Sequence, residues 1–66
     1  MNVQVNGQTI TVFNGALVRD AVLRYSQSEY RQVMTGKKAV WDGGGNRVHL
    51  DGALVEGDVL IIKIIT

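Results

Sequence analysis

The side chains able to do chemistry fall into a few short groupings. His49 and Asp51 stand two apart, a spacing that puts both on one face of a strand. A carboxylate beside an imidazole can orient and charge it for acid–base work. No motif places a serine or cysteine nucleophile near them, so a surface histidine beside a turn is the preferred reading. Gly43-Gly44-Gly45 has the composition of a phosphate cradle. A phosphate loop, however, opens a helix and usually carries Lys followed by Ser or Thr. This one runs into a short apolar stretch, and a hairpin turn is preferred. Thr35-Gly36-Lys37-Lys38 has a Gly-Lys pair without the spacing and reads as a helix end followed by solvated lysines. With no cysteine and one histidine, disulfides, thiol chemistry, iron–sulfur clusters and Cys/His zinc sites are ruled out. The expectation is a protein that is not an enzyme and uses no cofactor and no metal.

Binding chemistry is better represented. Arg31, Lys37, Lys38 and Arg47, with Trp41 and Tyr30, have the makings of a basic-aromatic surface, which pairs phosphate-neutralising cations with stacking rings. The net charge of only +1 and the adjacent Asp42 argue against a nucleic-acid footprint. Trp41 reads equally as a ring closing the edge of a small core.

These residues must be positioned by one small domain. A chain of 66 residues buries only about 60% of its unfolded surface, so packing or self-association has to supply its stability. Met1 to Phe13 reads as a hairpin around Asn6-Gly7, because both central residues of a type I′ turn need positive φ. A two-residue loop pairs Val5 with Gln8, Val3 with Ile10 and Met1 with Val12, gathering the aliphatic residues on one face. Ala16 to Tyr25 reads as a helix with Leu17, Val18, Ala21, Val22 and Tyr25 as its apolar stripe and Asn14 as the one available cap. A Ser28-capped helix through Met34, with Tyr30, Val33 and Met34 inward and Gly36 as its stop, competes with a loop. Ala39–Trp41 and Arg47–Leu50 read as short strands, and Leu54 and Val55 as an apolar plug between turns.

The last stretch, Val59 to Ile65, is apolar except for Lys63 and is too short to span a bilayer as a helix, which takes about 20 residues. β-Branched residues after Gly57-Asp58 predict a strand. Alternation puts Leu60, Ile62 and Ile64 in the core and Val59, Ile61, Lys63 and Ile65 on the other face. A strand this apolar wants a neighbour on each side. The simplest arrangement sets it parallel to the first strand in a mixed four- to five-stranded sheet with one main helix on one face, an α+β fold of the β-grasp, or ubiquitin-like, kind. The uncovered face then carries Phe13, Ile61 and Ile65 beside Lys63, Thr9, Thr11 and Gln4. A contiguous apolar patch there predicts a protein partner or a homodimer mate, with nucleic acid as the weaker option and no membrane. No apolar signal-like run opens the sequence, and a cytoplasmic location is expected.

Met1-Asn2-Val3-Gln4-Val5-Asn6-Gly7-Gln8 and Leu54-Val55-Glu56-Gly57-Asp58-Val59-Leu60-Ile61-Ile62 resemble the opening and the pre-strand segment of the small sulfur-carrier proteins of thiamine and molybdopterin synthesis. Gly57-Asp58 and Ile64-Ile65-Thr66 also resemble TGS domains, β-grasp units attached to RNA- or nucleotide-handling proteins. The resemblance implies the β-grasp fold and either a carrier role beside an adenylating enzyme or RNA binding. Sulfur carriers end in Gly-Gly, whose slim tail threads an enzyme site. The sequence here closes on Ile64-Ile65-Thr66, so no residue inherits the carrier carboxylate, and a non-catalytic interaction module is the leading expectation.

Overall fold

A computed structural model describes residues 1–65. Five strands and two helices follow the order β1 (Asn2–Val5), β2 (Gln8–Thr11), α1 (Val18–Tyr25), α2 (Gln27–Met34), β3 (Lys38–Asp42), β4 (Arg47–Val48) and β5 (Val59–Ile64). The strands form one mixed sheet in the order β2-β1-β5-β3-β4. β5 therefore lies at the centre, parallel to β1 and antiparallel to β3. The chain is a small α+β unit, and no helix among the described residues is long and apolar enough to cross a membrane. Thr66, the last residue of the Ile64-Ile65-Thr66 match, lies outside the described residues.

The hairpin forms as its turn dictates. Asn6 and Gly7 take φ of 51° and 82°, the left-handed pair that a two-residue turn needs. Val3 pairs with Ile10 and Val5 with Gln8, and the Met1 ammonium and the Val12 N–H each donate across the strand ends. Val3, Val5, Ile10 and Val12 are all buried. They meet Val18, Ala21 and Val22 of α1, Val40 of β3, Leu54, and Leu60 and Ile62 of β5 in one core. Burying a side chain such as Leu60 or Ile62 is worth about 1.5–3 kcal/mol, a large share of the small net stability of a domain of this size.

The helical layer departs from expectation. A second helix, as long as the first, packs beside α1 and against β3. Ser26, not Ser28, caps it: the Ser26 hydroxyl accepts the Glu29 N–H at 3.1 Å. At its end Gly36 takes φ 83°, with Gly36 N–H donating to the Val33 carbonyl and Lys37 N–H to that of Gln32. That pair of bonds is a Schellman stop, and it accounts for Thr35-Gly36-Lys37 without any phosphate chemistry. Met34 points away from the core and is exposed, because the short helix presents only Tyr30 and Val33 to the sheet.

The start of α1 lies at Val18, two residues inside the expected Ala16, and Asn14 does not cap it. The Asp20 carboxylate instead accepts the Leu17 N–H at 2.8 Å. The carbonyls of Gly52 and Leu50 take the N–H groups of Val18 and Arg19. The 50–54 segment thus satisfies the helix end that local sequence leaves open. Leu54 is buried by this lacing, but Val55 is exposed, so the apolar plug is one residue and not two. Its N–H is held by the Asp58 carboxylate in a turn that Gly57, at φ 85°, completes.

Candidate functional site

The central strand decides which residues face away from the helices. Cross-strand pairs share a face. Val40 faces Ile62 and Asp42 faces Leu60, on the helix side. Trp41 faces Ile61, Ala39 faces Lys63 and Gln4 faces Val59, on the open side. Leu60 and Ile62 are buried, while Val59 and Ile61 are each 38% exposed and Ile65 is 42%. Ile64 shares the phase of Leu60 and Ile62 yet is 64% exposed. It ends β5 opposite Lys38, whose side chain and not an aliphatic one meets α2 there, so its expected place in the core is not taken.

On the open side the aromatic ring gathers cations. Arg47 of β4 pairs directly with Trp41, and its guanidinium carbon lies 5.5 Å from the ring centroid. The Lys63 ammonium lies 4.8 Å from the same centroid. Each contact is worth about 0.5–1 kcal/mol at an exposed site. Ala39, opposite Lys63, is 1% exposed but stands apart from the main core. Ile65 extends the register, its N–H donating to the Lys37 carbonyl at 3.1 Å. The site is thus an aliphatic-aromatic centre of Val59, Ile61, Ile65 and Trp41 with Lys63 and Arg47 set on the ring.

The hairpin that carries Arg47 to Trp41 is shaped by Asp42. Its Oδ1 accepts the N–H groups of Gly44 at 2.9 Å and Asn46 at 3.0 Å. The loop thus turns the Gly44 and Asn46 N–H groups to the Asp42 carboxylate and the Gly45 N–H to the Asp42 carbonyl, and a strand, not a helix, follows. The Asn46 N–H is the main cause that holds the Asp42 carboxyl below its ordinary range; partial desolvation opposes it, and the Gly44 N–H and Asn46 side chain assist.

Other expected groupings do not assemble. Lys38 turns to the helix side, where its ammonium bonds both oxygens of Glu29 at 2.7 and 2.9 Å. Arg31 lines a groove on the helical side with Leu23, Tyr30 and Met34. Of the basic-aromatic set, Trp41 and Arg47 come together on the open side, and Lys63 joins them there. Phe13, expected beside Ile61 and Ile65, lies past the end of β2 in a groove with Leu23 and Arg24 of α1, two strands away from β5. The strand alternation that placed it there ends at Thr11. Asp51 forms an ion pair with Arg19 and not a dyad with His49. Among the described residues no three His, Cys, Asp or Glu side chains gather as a metal site. Comparison with known protein families, curated proteins and solved structures returns no match.

Proposed function

We propose that this chain is a small, non-catalytic interaction module of the β-grasp type that engages a protein partner through the open face of its sheet. The observation that carries the reading is the exposure of Val59, Ile61 and Ile65 along the strand at the middle of the sheet. Exposed aliphatic residues scattered singly are ordinary, but a row of them beside a tryptophan is a contact surface. The central placement of β5 between a parallel and an antiparallel neighbour, with helices on one side only, supports the β-grasp assignment. The chemistry of the face selects a partner with an apolar centre and carboxylates at its rim, placed to meet Lys63 and Arg47. Aspartate in place of both Ile61 and Ile65 tests this. The double variant should lose the bound partner, or the dimer mate, in pull-down and sedimentation experiments while keeping its circular dichroism spectrum. An unchanged partner set together with an unchanged oligomeric mass rejects the proposal.

The cations on Trp41 favour a second reading, single-stranded RNA on the same face. It requires affinity that falls steeply with salt. Absence of binding to a labelled oligouridylate at low ionic strength removes it.

A further inference from the structure

The two edges of the sheet are unlike. β4 ends the sheet on one side with only two residues and an arginine, both of which blunt an edge. β2 ends it on the other with Gln8–Thr11, which has no charge and no proline, and among the described residues no strand pairs with its outer side. Its backbone phase follows from the bonds of β1. Gln4 and Asn6 donate toward β5, and Met1 and Val12 exchange bonds across the hairpin. Antiparallel alternation then turns the N–H and C=O of Gln8 and Ile10 toward β1 and those of Thr9 and Thr11 outward. Among the described residues no hydrogen bond takes the outward backbone groups of Thr9 and Thr11.

Beside this edge runs the groove of Thr11, Val12, Phe13, Asp20, Leu23 and Arg24. Phe13 is 64% and Leu23 44% exposed, so the groove floor is apolar and wet. Asp20 is occupied by the Leu17 N–H, whereas Arg24 has no carboxylate in ion-pair range among the described residues.

We infer that the β2 edge and the adjoining α1 groove bind an extended peptide that adds a sixth strand to the sheet, sets apolar side chains against Phe13 and Leu23, and places a carboxylate on Arg24. Backbone pairing at Thr9 and Thr11 supplies affinity, and alternate side chains read the groove. The acidic requirement separates this occupant from a second copy of the chain. Residues 1–19 hold no Asp or Glu, so β2 of another molecule brings no carboxylate to Arg24. The inference concerns a different surface from the open face and does not rest on the reading above.

Random twelve-residue peptides displayed on phage, panned against the full chain, test it. Enriched peptides should alternate apolar residues and carry Asp or Glu. A synthetic enriched peptide added to the ¹⁵N-labelled chain should shift the amides of Thr9, Thr11, Leu23 and Arg24 and slow hydrogen exchange at Thr9 and Thr11. Arg24→Glu, on the exposed side of α1, should weaken binding about tenfold, the worth of one charge-assisted bond. Thr11→Pro removes an outward N–H without touching the β1 ladder and should weaken binding to a similar degree. Thr11→Val, which equally loses the Thr11 hydroxyl bond to Asn2, should not. The inference is overturned by a failure to enrich, by enriched peptides without acidic residues, or by insensitivity to Arg24→Glu. Shifts confined to Val59–Lys63 overturn it as well, and would point to the open face. So does a free chain already dimeric with Thr9 and Thr11 protected.

Discussion

Along β5, Leu60 and Ile62 are 2% and 6% exposed, while Ile61 between them is 38% exposed. All three are large aliphatic residues in one strand, each with a partner across it in β3: Asp42 opposite Leu60, Trp41 opposite Ile61 and Val40 opposite Ile62. What separates them is the layer above. The helix side has α1 over β1 and β2 and α2 over β3. Among the described residues no helix lies over the open side, where two cations are drawn over the one ring. Hydrophobicity drives a residue to be covered, but it does not say by what. On one face the chain supplies the cover; on the other the aliphatic row of Val59, Ile61 and Ile65 stays exposed among the described residues.

The contrast can be broken most directly by truncation. Leu60→Ala or Ile62→Ala should cost about 2–5 kcal/mol in urea unfolding, enough to threaten a domain this small. Ile61→Ala should cost no more than about 1 kcal/mol, as partly exposed sites do. Equal losses on the two faces would mean that the open side is covered within the chain itself. A smaller effect sharpens the role of the helical layer. Ser26→Ala removes the cap of α2 and should cost about 1 kcal/mol, with amide exchange rising first in 27–34.

On the open side, Lys63→Met removes one cation from the ring. A loss of about 0.5–1 kcal/mol is expected, with a change in the emission of Trp41, the only tryptophan. Unchanged emission would detach Lys63 from the ring. The smallest effect is on pH dependence. Because the folded Asp42 carboxyl titrates below its ordinary range, its contribution is present above about pH 3.9 and is lost as pH falls through the lowered value. Asp42→Asn should therefore be less stable than the parent at neutral pH, with the gap closing in strong acid. A gap independent of pH would show that the loop is held by its glycines and not by the carboxylate.

Much of the frame was legible because it is encoded locally. Asn6-Gly7 sets the hairpin register, and the β-branched run after Gly57-Asp58 announces a strand whose need for neighbours places it centrally. The candidate site was legible in part. The phase of β5 put Ile61, Lys63 and Ile65 on one side, since a period of two needs no knowledge of the rest of the chain. The pairing of Trp41 with Arg47, and the approach of Lys63 to the same ring, depended on two separate ladders meeting. Phe13 was misplaced because alternation was carried past the end of β2. The competing reading of 26–36 as a loop arose because the cap sits at Ser26, in the one-residue break between two helices.

Turns, strand phases and the apolar stripe of α1 follow from bonds and contacts a few residues long, and these the chain writes into itself. How α1 begins, which faces are roofed, which edge is left bare and which cations reach Trp41 depend on segments far apart in sequence. The carbonyls of Leu50 and Gly52 closing the end of α1, and Lys38 leaving the open side for Glu29, are the clearest cases. Such choices are made by shape and by the need to satisfy every buried polar group, and neither is settled until the whole chain has packed.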